Sequence, residues 1–206
     1  MIHPIIKASL DKSISYKAYR YLVDQLFEAH DTSGPNKTEA LISYTKLNAQ
    51  RMKRWDKTLT ISDTIKHVIS TLDKSVTWLV ITESWCGDAA HVLPVVNKLA
   101  ECNANISLRI VFRDENPELM DMFLTNGARS IAKLIMIDNR TGEVIGTFGP
   151  RPSMATAMVN DYKLKHGTLT PEFKESLQQW YNKDKGAHIM TDIVGLISPA
   201  QPKTCL

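Results

Sequence analysis

The sequence predicts an α/β fold, a central sheet flanked by helices, with helical extensions at both ends. Three observations predict it. Hydrophobic periodicity is helical up to about residue 73 and switches at residue 76 to a short, nearly continuous apolar run. From there to about residue 166 strand-like and helix-like segments follow in the order βαβαββα. Beyond residue 167 the pattern is helical again. The 206 residues are ample for one sizeable core with decorations. The expected organisation is a helical N-terminal extension over 1–59, an α/β domain over 60–166, and a C-terminal helical extension and tail over 167–206.

"SISYKAYRYLVDQLFEAH" places Tyr19, Leu22, Val23, Leu26 and Phe27 on one helical face, and "DTSGPN" breaks the helix. A second helix runs from about Thr38, with Glu39 in its first turn, through Leu41, Ile42, Leu47 and Met52. A third starts after Ser62 or Asp63, both good N-caps. "VTWLVIT" reads as a strand buried on both faces. A helix from about Asp88 to Glu101 follows, then a strand in "ISLRIVF" and a helix in "PELMDMFLTNGA". The strands "KLIMID" and "EVIGTFG" are joined by "NRTG", a hairpin signal. Helices over Ser153–Lys165 and from Pro171 to about Lys183 complete the pattern, the second with proline at its first position. "AHIMTDIVGLIS" is read as a last helix and "PAQPKTCL" as a mobile tail.

Composition excludes several function classes. The net charge of +3 is small, and the one basic run, "KLNAQRMKRWDK", has helical spacing, so no nucleic-acid partner is expected. No segment approaches the roughly 18 apolar residues of a membrane span, and no signal peptide is read at the N-terminus. Cytoplasmic location is the expectation. Cys86, Cys102 and Cys205 are too few for a disulfide framework and lack the spacing of a zinc site, so no metal is expected.

The chemistry concentrates in "WLVITESWCGDAAHVLP", residues 78–94, where a buried strand runs into Trp85-Cys86-Gly87 at the start of a helix. Free N–H groups at such a junction favour an anion. This stretch resembles the active site of the thioredoxin superfamily, and more narrowly bacterial thioredoxin-like proteins carrying W-C-G-D behind a helical extension. The resemblance covers about residues 60–165. It rests on the Trp-Cys-Gly triplet, on Pro94 eight residues past the cysteine, on "GARSIAKLIMID" where the family has its cis-proline loop, and on Gly149. "LNAQRMKRWDK" also looks like the narrower group. The resemblance implies a thioredoxin-like fold with a mixed sheet and thiol-disulfide chemistry at Cys86. Trp85, Gly87, Asp88, Ala89, Ile131 and Ala132 would form the substrate groove.

Three departures accompany it. Ala89 stands where the second cysteine of C-x-x-C is expected, so the local resolving step of a dithiol reductase is impossible. Ala132 replaces the proline of the Ile-Pro pair, and a cis bond without proline costs about 2.5–4 kcal/mol, so a trans bond and a reshaped groove are expected. Val80 occupies the strand position where the family keeps a buried acid. Two functions stay open. One is a monothiol redox protein in which Cys86 attacks a disulfide-containing or glutathionylated protein or small thiol, with no resident cofactor and with glutathione as co-substrate. The other is a non-catalytic binding module that keeps the groove.

The thiol itself is finely balanced. A helix N-terminus favours a thiolate by about 0.3–1 kcal/mol, at most about 2. That would move a thiol from about 8.5 to about 7–8. Asp88 and Glu83 oppose the shift, and His91 is a candidate counter-charge. Arg113 and Arg129 are candidates for holding an anionic ligand. Cys205 is within reach as a remote resolving thiol, although an accidental cysteine near the end of the chain is the simpler reading.

Overall fold

A computed structural model describes residues 1–197. Cys205 and the tail lie outside the described residues, so the remote resolving thiol is not addressed by it.

Four helices lead into the sheet: α1 (Pro4–Lys12), α2 (Tyr16–Glu28), α3 (Glu39–Thr58) and α4 (Asp63–Ser70). Their starts follow capping chemistry. Ser15, Thr38 and Ser62 each accept a hydrogen bond from the backbone N–H three residues on. Helix α1 is an addition to the helices read from the sequence. Pro4 occupies its first turn and His3 caps it.

The α/β region contains β1 (Val76–Thr82), α5 (Ala89–Ala100), β2 (Ile106–Phe112), α6 (Pro117–Met122), β3 (Lys133–Asp138), β4 (Val144–Phe148) and α7 (Ser153–His166). Two further helices follow, α8 (Pro171–Asp184) and α9 (Ala187–Ile197). The sheet order is β2-β1-β3-β4. Strand β1 pairs in parallel with β2 and antiparallel with β3, and β3 pairs antiparallel with β4, so the sheet is mixed. Every residue of β1 is buried, which is why its sequence carries no polar alternation. The free edge of β2 is closed by the segment between α1 and α2: Ile14 exchanges two backbone hydrogen bonds with Ile110, at 2.9 and 2.8 Å.

One element is shorter than its sequence suggests. Helix α6 ends at Met122, and Thr125 and Ala128 then bridge across a tight turn with φ of +51° at Asn126 and +75° at Gly127. Asn-Gly is a strong signal for such a turn, and here it outweighs the apolar spacing. Among the described residues no helix is long and apolar enough to cross a membrane.

Candidate functional site

Strand β1 delivers the chain to a turn at Glu83-Ser84, and Trp85, Cys86 and Gly87 lead into α5. The turn is held by the N-terminal segment. Thr32, Thr45 and Ser84 hydroxyls form a closed triangle with sides of 2.7, 3.2 and 2.8 Å, and Asn48 Nδ2 donates to the Ser84 carbonyl at 2.8 Å. Buried hydroxyls need such partners. The local sequence of the turn gives no hint that α3 and the segment before it supply them.

Cys86 is 6% exposed. Its Sγ accepts the Ala89 N–H at 3.4 Å and also faces the Asp88 N–H. The thiol in turn donates to the Ile131 carbonyl at 3.2 Å. Burial, followed by the neighbouring Asp88 charge, pushes the thiol pKa up to about 12, and the two N–H groups only partly counter this. The balance read from the sequence thus tips upward, with Asp88 opposing the thiolate as expected and burial adding the larger push. A helix N-terminus offsets little when the sulfur is removed from water beside a carboxylate.

Asp88 is the N-cap residue of α5, yet its side chain makes no cap hydrogen bond. Its carboxylate is engaged elsewhere, 2.7 Å from Arg151 Nη2 and 3.0 Å from the Tyr181 hydroxyl. Burial raises the Asp88 pKa against the pull of Arg151. It also raises the Tyr181 phenol well above its ordinary value, so Tyr181 is the donor.

His91 is fully buried and is no counter-charge for the thiol. Its Nδ1 accepts from Trp55 Nε1 at 2.9 Å, and its Nε2 meets Gln178 Oε1 at 2.8 Å. The ring stacks on Tyr181 with centroids 4.3 Å apart. Burial holds its pKa down at about 3, so the imidazole is neutral. Glu83 is likewise occupied away from the thiol, accepting from the Ser33 hydroxyl and from the Asp114 N–H.

The Ile131–Ala132 peptide is cis, correcting the expectation of a trans bond. The Ile131 carbonyl is held by the Cys86 thiol, and Ala132 is enclosed at 1% exposure. Gly149, at φ +109°, lies over Ala132, where a Cβ would fall 2.1 Å from the Ala132 oxygen. Gly149–Pro150 is also cis.

These parts line an open groove of about 400 Å³. Trp85, Cys86 and Gly87 form one wall, Ile131 and Pro150 another, and Tyr44 of α3 part of the rim. Of the predicted groove residues, Trp85, Cys86, Gly87, Asp88 and Ile131 line it, while Ala89 and Ala132 lie buried behind it. Both arginines named from the sequence are present with acidic partners. Arg113 pairs with Asp114 at 2.8 Å and lies 4.8 Å over the Trp85 ring, and Arg129 pairs with Asp121 at 2.6 Å. Sequence reasoning missed Tyr44, Pro150, Arg151 and Tyr181, which reach the site from elements remote in the chain. Among the described residues there is no cluster of three or more His, Cys, Asp or Glu side chains able to hold a metal.

A mixed four-stranded sheet flanked by helices, with further helices at both ends, is a thioredoxin-like α/β fold. The profile of the Thioredoxin_9 family, described as thioredoxin, matches residues 34–163, and the chain belongs to that family. The match begins before α3 and so includes the helix that braces the Cys86 turn. Among solved structures, the fold is similar to a Pseudomonas aeruginosa protein of unknown function, with a TM-score of 0.55 and 17% identity over 89% of this chain and 97% of that one. It is also similar to an HIV epitope scaffold, with a TM-score of 0.54 and 15% identity over 89% of this chain and 98% of the scaffold. No curated protein matches the chain.

Proposed function

We propose that this protein is a thioredoxin-fold binding module, in which the groove beside Cys86 holds a peptide segment and the thiol serves as a neutral part of its floor. The observation that carries this reading is the hydrogen bond from the Cys86 thiol to the Ile131 carbonyl, made beside the Asp88 carboxylate. That arrangement favours the protonated sulfur, and the protonated form is not the nucleophile. Ala89, in the place of a second thiol, removes the usual route for releasing a mixed disulfide. A reducing compartment such as the cytoplasm suits three cysteines without a disulfide framework.

A second reading is favoured by one feature, the pair of N–H groups from Asp88 and Ala89 aimed at Sγ. In it Cys86 works as a monothiol. The thiolate attacks a glutathionylated or disulfide-bonded target, the target's S–S bond breaks and its thiolate leaves, and free glutathione resolves the adduct on Cys86.

Alkylation of Cys86 across about pH 6 to 10, followed peptide by peptide, separates the two. For the binding module, the rate climbs about tenfold per pH unit without a plateau in that range. A plateau reached near pH 7 would overturn it in favour of monothiol exchange.

A further inference from the structure

The groove does not end at Cys86. On the other side of Gly87 a second cavity, of about 390 Å³, lies between α3 and α8 and shares Tyr44, Gly87, Asp88 and Arg151 with the first. Its remaining polar lining includes Arg51, Lys174, Glu175 and Gln178. Gly87 is the saddle between the two spaces.

Donors converge on that saddle. A Cβ built on Gly87 would lie 3.8 Å from Gln178 Nε2 and 4.0 Å from Arg51 Nη1. The Gln178 amide is oriented by its oxygen, which is held by His91 Nε2, leaving its NH₂ directed toward Gly87. A neutral His91 with Trp55 donating to Nδ1 carries its proton on Nε2, which fixes that orientation.

The cations here are short of counter-charge. Arg51 is half-buried and has no acidic partner among the described residues, its only side-chain hydrogen bond running to Asn48 Oδ1 at 3.0 Å. Burial and the nearby Arg54 lower its pKa, as expected for an uncompensated guanidinium. Arg151 gives Nη2 to Asp88, but its Nε–H is buried without a partner among the described residues. Lys174 is exposed at the mouth and makes no ion pair among them. Against these stand two acids. Asp88 is committed to Arg151 and Tyr181, and Glu175 accepts weakly from Gln179 at 3.5 Å.

We propose that the cavity beyond Gly87 is an anion subsite that takes a carboxylate of a peptide lying along the Cys86 groove, with Arg51 and Gln178 donating to it and Lys174 and Arg151 supplying charge. A planar guanidinium and an amide converging on one point suit a planar carboxylate, and the absence of a side chain at residue 87 leaves room for it. The subsite rests on the binding-groove reading and extends it by naming the ligand's charge. Its position explains why an extended thioredoxin fold would carry helices at both ends: α3 brings Arg51 and α8 brings Gln178 and Lys174 to the same side of the cysteine turn.

The test uses the full-length chain and S-methylglutathione, a tripeptide with two carboxylates and no free thiol, with the Gly87 amide followed by NMR. Wild type is expected to bind at about millimolar Kd. Arg51→Gln should weaken binding at least about tenfold, the loss of one charge-assisted pair. Lys174→Gln, at an exposed position, should weaken it about threefold while leaving the fold intact. Gly87→Ala, which adds a methyl where the backbone tolerates one, should weaken binding about as much as Arg51→Gln. The proposal is overturned if wild type shows no binding up to about 20 mM, or if Lys174→Gln and Gly87→Ala, both folded, bind as wild type. It is also overturned if inorganic phosphate binds with the same dependence on Arg51 while the tripeptide does not, because the subsite would then read phosphate. Repeating the titration on Cys86→Ser separates this from the fate of the thiol. Unchanged binding there keeps the subsite standing even if alkylation shows Cys86 to be a reactive nucleophile.

Discussion

The Tyr181 hydroxyl donates a 3.0 Å hydrogen bond to the carboxylate of Asp88, two residues past Cys86. Tyr181 belongs to α8, outside the α/β core, and is fully buried. The C-terminal extension thus reaches into the cysteine turn, holds the residue that sets the charge beside the thiol, and stacks on His91 in the same step.

Removing that donor isolates the contact. Tyr181→Phe keeps the ring stack and deletes one hydrogen bond to a buried carboxylate. A bond to a charged group is worth about 1.5–3 kcal/mol. Urea unfolding should show a loss of that size with an unchanged m-value. A loss under about 0.5 kcal/mol would mean that the Asp88 carboxylate does not depend on this partner.

Asp88→Asn tests the cause of the high thiol pKa. The Asp88 charge is the second contribution to that shift, after burial. Neutralising it should speed Cys86 alkylation at about pH 8 by several-fold to tenfold, since one pKa unit is tenfold in thiolate. Arg151 loses its partner at the same time, so stability should fall by about 3 kcal/mol, the low end for a buried pair. An unchanged alkylation rate would assign the shift to burial alone.

His91 ties stability to pH. Its folded-state pKa is held at about 3, below the ordinary 6.5, by burial in a neutral network with Trp55 and Gln178. The unfolded chain therefore binds a proton between these values that the folded chain refuses, so stability rises with pH across the window and is lost as pH falls below 6.5. By about pH 5.5 the loss from this residue is on the order of 1 kcal/mol, and it grows with further acidification. Chemical denaturation of wild type and His91→Gln at about pH 7 and about pH 5.5 gives the comparison. The variant starts less stable but should lose less between the two pH values. Equal losses would mean that His91 is protonated in the folded chain.

Much of this architecture is legible in the sequence because it is written locally. "VTWLVIT" carries no polar alternation, Ser62 and Thr38 announce their helices, and Trp85-Cys86-Gly87 marks the turn into α5. The site is only half legible for the same reason. Asp88 and Tyr181 are 93 residues apart, and Trp55 and His91 are 36 apart, so no spacing rule connects them. His91, five residues past the cysteine, is no more than a candidate counter-charge in the sequence, and only the tertiary fold shows it buried between Trp55 and Gln178. The cis geometry at Ala132 is equally illegible locally, since "SIAK" carries no proline at that bond. Arg51 falls within a basic run that reads as a solvated helix face, and only the placement of α8 turns that position into the wall of a cavity.

Ala89→Cys asks whether the missing second thiol is the sole barrier to dithiol chemistry. Residue 89 opens α5 at 1% exposure, and its N–H already points at Cys86 Sγ from 3.4 Å. A thiol there has the C-x-x-C spacing at a helix start, so treatment with excess diamide should close a disulfide between Cys86 and the introduced thiol. Each protein thiol gives up one hydrogen and the diazene reagent becomes the hydrazine, an oxidation that peptide mass mapping detects. Fast reduction of a disulfide substrate should not follow, because attack still requires a Cys86 thiolate, and burial and Asp88 continue to disfavour it. The double variant Ala89→Cys with Asp88→Asn should then exceed the single variant by the same several-fold to tenfold factor as in alkylation. Insulin reduction by both, with a folded control from circular dichroism, measures this. Rapid turnover by Ala89→Cys alone would show that the groove supports a thiolate once a partner is supplied, and would move the protein from binding module to an oxidoreductase lacking one cysteine.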